Sequence, residues 1–168
     1  MDDSGARPDL RPLAAVDLDG VVADVRHRLH HLSTRPKDWD GFFAAAVDDA
    51  VLPEGRAVVE RLVDEGQVVV WLTGRPERCR PDTVRWLRRN DLPEAELYMR
   101  RDGDRRPARE TKLAIVRRLS ADRPMSVVVD DDDAVVRALR QAGFTVLHAQ
   151  WMSAQPTLFQ AQESEGRT

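Results

Sequence analysis

Cysteine is almost absent from the sequence, since Cys79 is the single one in 168 residues. A lone cysteine forms no intramolecular disulfide, which argues against a disulfide-stabilised secreted scaffold. Long apolar runs are also missing: no stretch is long enough to cross a bilayer, and the polar, acidic N-terminus has no apolar signal-peptide core. These absences predict a cytoplasmic protein that has no membrane partner.

Lysine is scarce as well, because Lys37 and Lys112 stand against 24 arginines. A chain so biased toward arginine that still keeps a lysine indicates a need for a compact point charge. The net charge of −3 is unevenly distributed: between Arg75 and Arg118, 14 Arg or Lys residues accompany only 8 Asp or Glu. This basic middle favours an anionic partner, and solvated helix faces are the alternative explanation for most of these arginines.

Short apolar runs alternate with helical patterns along residues 13–152, which we predict to be one domain. The predicted strands are Leu13–Leu18, Gln67–Leu72, Glu96–Met99, Ser126–Val129 and Phe144–Leu147. The predicted helices are Pro53–Glu65, Asp82–Asn90 (with Asp82 as N-cap), Arg109–Leu119 and Asp133–Ala142. Such alternation predicts an α/β fold with an open sheet of about five parallel strands and helices on both faces.

Residues 21–52 interrupt the alternation. They contain two predicted helices, Val25–Leu32 and Trp39–Val47, before the next strand–helix unit begins. We therefore expect a small helical insertion after the first strand, placed where it can cover the mouth of the sheet. Residues 1–12 and 153–168 are predicted to be loose tails.

The first strand ends in Asp17-Leu18-Asp19-Gly20, which places two carboxylates two residues apart. In open α/β sheets, ligands bind beyond the carboxyl ends of the strands. One carboxylate at such a place can attack phosphorus, while the second protonates the leaving oxygen and later activates water. The alternative is an ordinary polar turn, in which Asp is common.

Two further motifs follow in the middle of the chain. Thr73-Gly74-Arg75 comes after the second strand, where the hydroxyl and backbone N–H groups can hold phosphoryl oxygens and the arginine can reach an anion. Lys112 lies near the start of a predicted helix, where it can neutralise negative charge on a nucleophile and a phosphoryl group. Alone, the Thr73-Gly74-Arg75 motif is a weak signal that a turn with a surface arginine also explains, and an isolated Lys112 is more typical of a surface lysine.

Four consecutive acids, Asp130 to Asp133, follow the valine-rich fourth strand. Like charges this close repel each other unless a cation lies among them, and hard oxygen ligands at a strand end suit Mg²⁺. Asp132 or Asp133 is predicted to cap the next helix. Asp130 and Asp131 are predicted to face the site.

The order of these motifs (DxDG, TGR, Lys, then DD) resembles the haloacid dehalogenase (HAD) superfamily of phosphohydrolases from Leu13 to Trp151. The resemblance implies a Rossmann-like HAD fold with sheet order 5-4-1-2-3, which brings the first and fourth strands together. It also implies an aspartyl-phosphate intermediate on Asp17, with Asp19 as general acid and then general base. Thr73 and Lys112 would orient and neutralise the phosphoryl group.

The same resemblance implies a Mg²⁺ cofactor. Its ligands would be Asp17, the backbone carbonyl of Asp19, and Asp130 directly or through water, with Asp131 in support.

Within the superfamily, the chain is similar to the 3′-phosphatase domain of polynucleotide kinase-phosphatase. Arg28 follows Asp17 by 11 residues, Arg75 follows Thr73-Gly74, and VVDDDDAVVRALRQAG matches the final motif of that family in spacing. The resemblance implies that Arg28, Gly74 and Arg75 bind substrate. Thr73 replaces the family's serine, and no GxxxxGK[ST] motif occurs in the chain, so we expect no kinase activity from it.

A phosphorylated nucleic-acid 3′ end is thus one predicted partner, and mononucleotides or other small phosphoesters are the alternatives. Aromatic residues make up only 5% of the chain, whereas stacking platforms for single strands need exposed aromatics.

Other classes of protein fit the sequence less well. A receiver-type phosphoacceptor domain uses similar residues but places its acid pair first, and an idle binding module would lack one of the motifs. His27 and His31, four apart on a predicted helix, offer two transition-metal ligands without an evident third.

Overall fold

The computed structural model of the protein describes residues 10–152. Its seven strands are β1 (Leu13–Val16), β2 (Ala23–Asp24), β3 (Ala50–Val51), β4 (Val68–Pro76), β5 (Leu97–Arg100), β6 (Met125–Asp130) and β7 (Val146–His148). Its five α-helices are α1 (Trp39–Ala44), α2 (Pro53–Asp64), α3 (Arg80–Arg89), α4 (Ala108–Asp122) and α5 (Asp133–Gln141). Short 3₁₀ helices cover Arg26–Leu32, Ala45–Asp48 and Glu77–Cys79.

Five strands form one sheet in the order β5-β4-β1-β6-β7, and every pairing in it is parallel. Counted along the chain, these are the third, second, first, fourth and fifth strands of the sheet. The predicted order, read from the opposite edge, is therefore confirmed. The central strand β1 is buried along its whole length, which its apolar sequence LAAV permits.

The two faces of the sheet carry different helices because side chains alternate along each strand. Ala14 and Val16 of β1 pack in a cluster with residues of α2 and α3, whereas Ala15 packs in a cluster with residues of α4 and α5. The prediction of helices on both faces is thus confirmed. This arrangement leaves the carboxyl edge of the sheet as the place where polar side chains meet.

The insertion, residues 21–52, forms a small layer with its own apolar cluster. β2 and β3 pair antiparallel at its two ends, and Trp39, Phe42 and Phe43 of α1 pack against Met152 near the end of the described chain. The helix predicted at residues 25–32 is a 3₁₀ helix instead, and the one predicted at residues 39–47 divides into α1 and a 3₁₀ turn.

Two boundary predictions were wrong. β4 continues through Thr73, Gly74 and Arg75, so this motif lies in an extended strand whose pairing with β5 is irregular. Asp82 is not the N-cap of α3: the helix begins at Arg80 with Pro81 in its first turn, where the fixed φ of proline favours a helix start. Asp82 pairs with Arg85 at 3.0 Å instead.

Part of the tail predictions, residues 1–9 and 153–168, lies outside the described chain. Among residues 10–152, none of the helices has the length and apolar character required to cross a membrane.

Candidate active site

Three carboxylates meet at the carboxyl edge of the sheet. Asp17 follows β1, Asp130 ends β6, and Asp131 comes next. The backbone N–H of Asp17 donates to the carbonyl of Val129 at 3.0 Å, which locks the ends of the two neighbouring strands together. One carboxylate oxygen from each of the three residues lies within 4.8 Å of the others, and all three side chains are buried.

Lys112 joins two of these carboxylates. Its Nζ donates to Asp17 Oδ2 at 2.7 Å and to Asp130 Oδ2 at 2.6 Å, from the second turn of α4. Burial alone would lower the pKa of Lys112, but the charges of Asp130 and Asp17 outweigh burial and raise it, so the side chain is a fixed cation. A residue that looks like a surface lysine in the sequence is therefore at the centre of the site.

One lysine does not balance three buried carboxylates. Burial, opposed by Lys112 and reinforced by Asp130, raises the pKa of Asp17 to about 7. Burial and the charges of Asp17 and Asp130 likewise raise the pKa of Asp131 well above its ordinary value. The cluster of hard oxygen donors has an excess of negative charge, and a divalent cation of the Mg²⁺ type fits both properties.

Gly20 allows the turn after β1 to approach the acid pair closely. Its φ is +78°, and a Cβ atom built on it would lie 2.0 Å from Oδ2 of Asp131. Any side chain at this position would push Asp131 away or move the turn that carries Asp19. The glycine of the DxDG motif is thus required by this contact as well as by the backbone conformation.

Asp132, the third acid of the DDDD run, has a structural role, and the loop that carries the acid pair has a supporting contact. Asp132 caps α5, accepting from the N–H groups of Ala134 at 2.8 Å and Val135 at 3.4 Å, as the sequence predicted for Asp132 or Asp133. The ring of His148 lies 3.1 Å from the backbone oxygen of Asp131, so it supports the loop that carries the acid pair.

The Thr73-Gly74-Arg75 segment of β4 is buried beside β1. Thr73 Oγ1 accepts from the backbone N–H of Arg75 at 3.3 Å. The arginine side chain turns back toward the site and contacts Asp19 rather than solvent.

Asp19 is held by two arginines and is separate from the three-carboxylate cluster. Its Oδ1 accepts from Nη2 of Arg28 at 2.7 Å and from Nε and Nη2 of Arg75 at 3.0 and 2.6 Å. Burial would raise the pKa of Asp19, but the charges of Arg28 and Arg75 overcome it and lower the pKa to about 2. Within the described chain, Oδ2 of Asp19 is buried without a hydrogen-bond partner.

The sequence did not reveal Asp49, which is buried beside the same arginines. Its carboxylate accepts from Arg28 and from Arg75, and it also contacts the ring of His27. The acid pair Asp48-Asp49 before a short strand was the one available indication. This indication was weak, because the sequence does not distinguish Asp49, which is buried, from Asp48, which is exposed.

His27 and His31 do not share a metal. They lie on a 3₁₀ helix, whose three residues per turn place positions four apart on different sides. His27 contacts Asp49 at 2.8 Å and His31 contacts Asp38 at 2.8 Å. Among residues 10–152, the acidic group of Asp17, Asp130 and Asp131 is the cluster found with the spacing of metal ligands.

Comparison with known proteins agrees with this geometry. The family model described as "Polynucleotide kinase PNKP phosphatase domain" matches residues 12–151, which covers β1 to β7 and the whole site. Among curated proteins, no sequence matches the chain.

Solved structures of low sequence identity share the fold. A chain of the Pnkp1/Rnl/Hen1 RNA repair complex is 20% identical with a TM-score of 0.71, and the match covers 84% of this chain but only 43% of that one. The class C acid phosphatase from Bacillus anthracis, with tungstate bound, is 14% identical with a TM-score of 0.62, over 86% of this chain and 69% of the other. The haloacid dehalogenase-like hydrolase SP0104 from Streptococcus pneumoniae is 9% identical with a TM-score of 0.61, over 91% of both chains.

The chain thus spans less than half of the length of the protein in the RNA repair complex. The part of the chain that the family model matches forms the five-stranded sheet and carries the acidic residues at its edge. The chain therefore belongs to the polynucleotide kinase PNKP phosphatase domain family, a family of HAD-type phosphatases.

Proposed function

We propose that this phosphatase is a Mg²⁺-dependent phosphomonoesterase that forms an aspartyl-phosphate on Asp17. The observation that carries the proposal is the position of the Asp17 carboxylate at the end of the central strand. There it is held by Lys112 at 2.7 Å and lies beside the acid pair of β6. A carboxylate fixed at the carboxyl edge of the sheet, next to a cation, is suited to attack phosphorus.

Two steps account for the reaction. An oxygen of Asp17 attacks phosphorus, the phosphorus–oxygen ester bond breaks, and the leaving oxygen takes a proton from Asp19. A water molecule then gives a proton to Asp19 and attacks the phosphorus of the aspartyl-phosphate, which releases inorganic phosphate and restores Asp17. The buried Oδ2 of Asp19, which has no hydrogen-bond partner in the described chain, is the atom available to carry this proton.

Arg28 and Arg75 favour the ionised form of Asp19, whereas a general acid has to be protonated. An anionic phosphoryl group beside the arginines competes with Asp19 for their N–H groups, which raises the proton affinity of Asp19 when substrate is bound. Both arginines therefore act on substrate and on Asp19 together.

The remaining residues position the phosphoryl group. Lys112 neutralises charge beside Asp17, and the hydroxyl of Thr73 with the N–H of Gly74 orients the phosphoryl oxygens. Asp17, Asp130, Asp131 and the backbone carbonyl of Asp19 would hold Mg²⁺, which would supply positive charge to stabilise the phosphoryl group.

The substrate proposed first is a polynucleotide 3′-phosphate. Family membership supports it, and so does the basic stretch of the chain, in which Arg101, Arg105 and Arg106 are exposed.

One observation favours a small phosphoester as the second candidate. Trp39, Trp71 and Trp86 are buried, so these large aromatics offer no platform on which bases can stack.

Phosphate release decides between the two. The assay compares a 3′-phosphorylated oligonucleotide, the same oligonucleotide with a 5′-phosphate, a 3′-mononucleotide and an aryl phosphate, with Mg²⁺ and with a chelator. Preferential, Mg²⁺-dependent release from the 3′-phosphorylated oligonucleotide is expected. Release from the small esters alone would replace the polynucleotide by the second candidate.

Asp17→Asn is the control for the chemistry. It removes the nucleophile with little change in volume, so turnover of every substrate is expected to vanish while the fold is kept, as judged by circular dichroism. Retained turnover in this variant would contradict the assignment of Asp17.

A further inference from the structure

Asp49 is an acid of the insertion that reaches the centre of the molecule. Its Oδ1 accepts from Nε of Arg28 at 2.8 Å, and its Oδ2 accepts from Nη2 of Arg28 at 2.7 Å and from Nη2 of Arg75 at 2.9 Å. His27 Nε2 lies 2.8 Å from Oδ1. Within residues 10–152, each hydrogen bond found for this carboxylate is therefore with a side chain that carries or can carry positive charge.

The backbone of Asp49 is fixed as firmly as its side chain. Nε1 of Trp86 on α3 donates to its carbonyl oxygen at 2.8 Å, and its own N–H donates to the carbonyl of Ala46 at 3.3 Å. The backbone that carries this carboxylate is thus anchored to α3.

Two carboxylates and two guanidinium groups form one buried group of four charges. Nη2 of Arg28 and Nη2 of Arg75 each donate both to Asp19 and to Asp49. The four formal charges cancel, which is the condition under which buried ions are tolerated. The planar guanidinium groups are held on both sides, so their direction depends on Asp49 as much as on Asp19.

The chain segments that supply these residues differ. Arg28 and Asp49 come from the insertion, whereas Asp19 follows β1 and Arg75 belongs to β4. Arg28 is further held by the ring of Phe42 at 4.2 Å, and Arg75 by Thr83 Oγ1 at 3.4 Å. The buried ions join the insertion to the carboxyl edge of the sheet.

We propose that Asp49 is a positioning residue of the phosphatase. It holds the guanidinium groups of Arg28 and Arg75 at the places from which they contact Asp19 and the substrate phosphate. It also ties the insertion to the carboxyl edge of the sheet. The inference rests on the proposed roles of Asp19, Arg28 and Arg75 in catalysis.

Asp49→Asn tests this, with Asp48→Asn as the matched control. The two variants make the same change of charge at adjacent positions, of which one is buried and the other exposed. Asp49→Asn is expected to lower kcat about 10- to 100-fold with a smaller change of KM, because misplaced groups cost about that much in rate. Asp48→Asn is expected to keep both constants. Equal kinetics of the two variants would overturn the proposal.

A double-mutant cycle with Arg75→Lys separates positioning from general destabilisation. If Asp49 acts through Arg28 and Arg75, Asp49→Asn is expected to lower kcat by a smaller factor in the Arg75→Lys background than in the unaltered protein, because only its effect on Arg28 remains. Losses that multiply would show that Asp49 acts independently, which contradicts the proposal. Thermal melting of each variant checks that the assay temperature lies below the transition.

Asp49→Glu decides the question if Asp49→Asn fails to fold. It keeps a negative charge between the two arginines but moves the carboxylate by one methylene group, so the four formal charges still cancel. A lower kcat at a temperature below the melting transition is expected, and an unchanged kcat would overturn the proposal. Asp17→Asn, assayed on the same aryl phosphate, tests the proposed chemistry separately, so failure of one proposal is distinguishable from failure of the other.

Discussion

At the scale of single residues, the buried lysine shows why a compact cation is needed at this site. Lys112 donates to two carboxylates from a space in which its side chain is almost completely buried. A planar guanidinium group is larger and directs its N–H groups in fixed directions, so arginine is a poor replacement here. This gives a physical reason for a lysine in a chain that otherwise prefers arginine.

Gly20 and Gly143 allow a matched comparison at the same scale. Both have a left-handed backbone, with φ of +78° and +90°, but a Cβ at Gly20 would meet Asp131 whereas one at Gly143 meets nothing within 4 Å. Replacement of either by alanine is expected to cost about 1–3 kcal/mol of unfolding free energy because of backbone strain. Only Gly20→Ala is expected to lose phosphatase activity.

Chemical denaturation and an aryl phosphate assay on both variants check this prediction. Full activity of Gly20→Ala would show that the contact with Asp131 does not matter for the site. A comparable loss of activity in Gly143→Ala would show that strain alone, away from the site, explains the effect.

At the scale of elements, α5 is stabilised at its start by one acid of the DDDD run. Asp132 is the N-cap and accepts from two backbone N–H groups of the first turn. Asp133 is the first residue of the helix, and its side chain is exposed. Asp132→Ala is expected to lower the unfolding free energy by about 1 kcal/mol, the usual effect of losing an N-cap. Asp133→Ala is expected to change it by less than about 0.5 kcal/mol, as surface substitutions do.

Urea denaturation of the two variants measures the difference between these neighbouring acids. Equal stability of the two would contradict the assignment of Asp132 as the cap. Since Asp132 also donates its backbone N–H to Asp130 Oδ1 at 3.0 Å, a frayed helix start is expected to disturb the acid pair and to reduce activity as well.

At the scale of the whole molecule, the acidic edge links stability to pH and to divalent cations. The pKa of Asp17 rises from 3.8 to about 7 on folding, and that of Asp131 rises well above its ordinary value. Between about pH 4 and about pH 7, the folded protein binds more protons than the unfolded chain. The unfolding free energy therefore falls as the pH rises through this range. A divalent cation bound to the ionised carboxylates opposes this loss.

Melting temperatures between pH 5 and pH 8 check the linkage, with a chelator and with Mg²⁺. The melting temperature in chelator is expected to fall as the pH rises, and the fall is expected to be smaller with Mg²⁺ and in Asp17→Asn. The lowered pKa of Asp19 acts at lower pH, since its contribution to stability is lost only as the pH falls from about 4 toward 2. The same pH dependence with and without Mg²⁺ would contradict the proposed metal site.

The sheet and its acidic edge were predictable from the sequence. Short apolar runs that alternate with amphipathic helices predicted the open parallel sheet, and the resemblance of the DxDG, TGR, Lys and DD motifs to the HAD superfamily implied the strand order and the proximity of Asp17 to Asp130. The acidic edge follows from local sequence, because a carboxylate directly after a buried parallel strand has to lie at the carboxyl edge of the sheet. Boundaries such as the start of α3 and the end of β4 were less determined, since proline placement and irregular pairing decide them.

The contacts of the two arginines, in contrast, became visible in the folded chain. The sequence indicated Arg28 and Arg75 as substrate-binding residues, but it did not show that both are buried between Asp19 and Asp49. That arrangement depends on how closely the insertion approaches β4, and no local pattern encodes a contact between residues 26 positions apart. A buried charge is stable only with its partners in place. The place of Asp49 among these four charges is therefore a property of the folded chain, which brings residues from distant segments together.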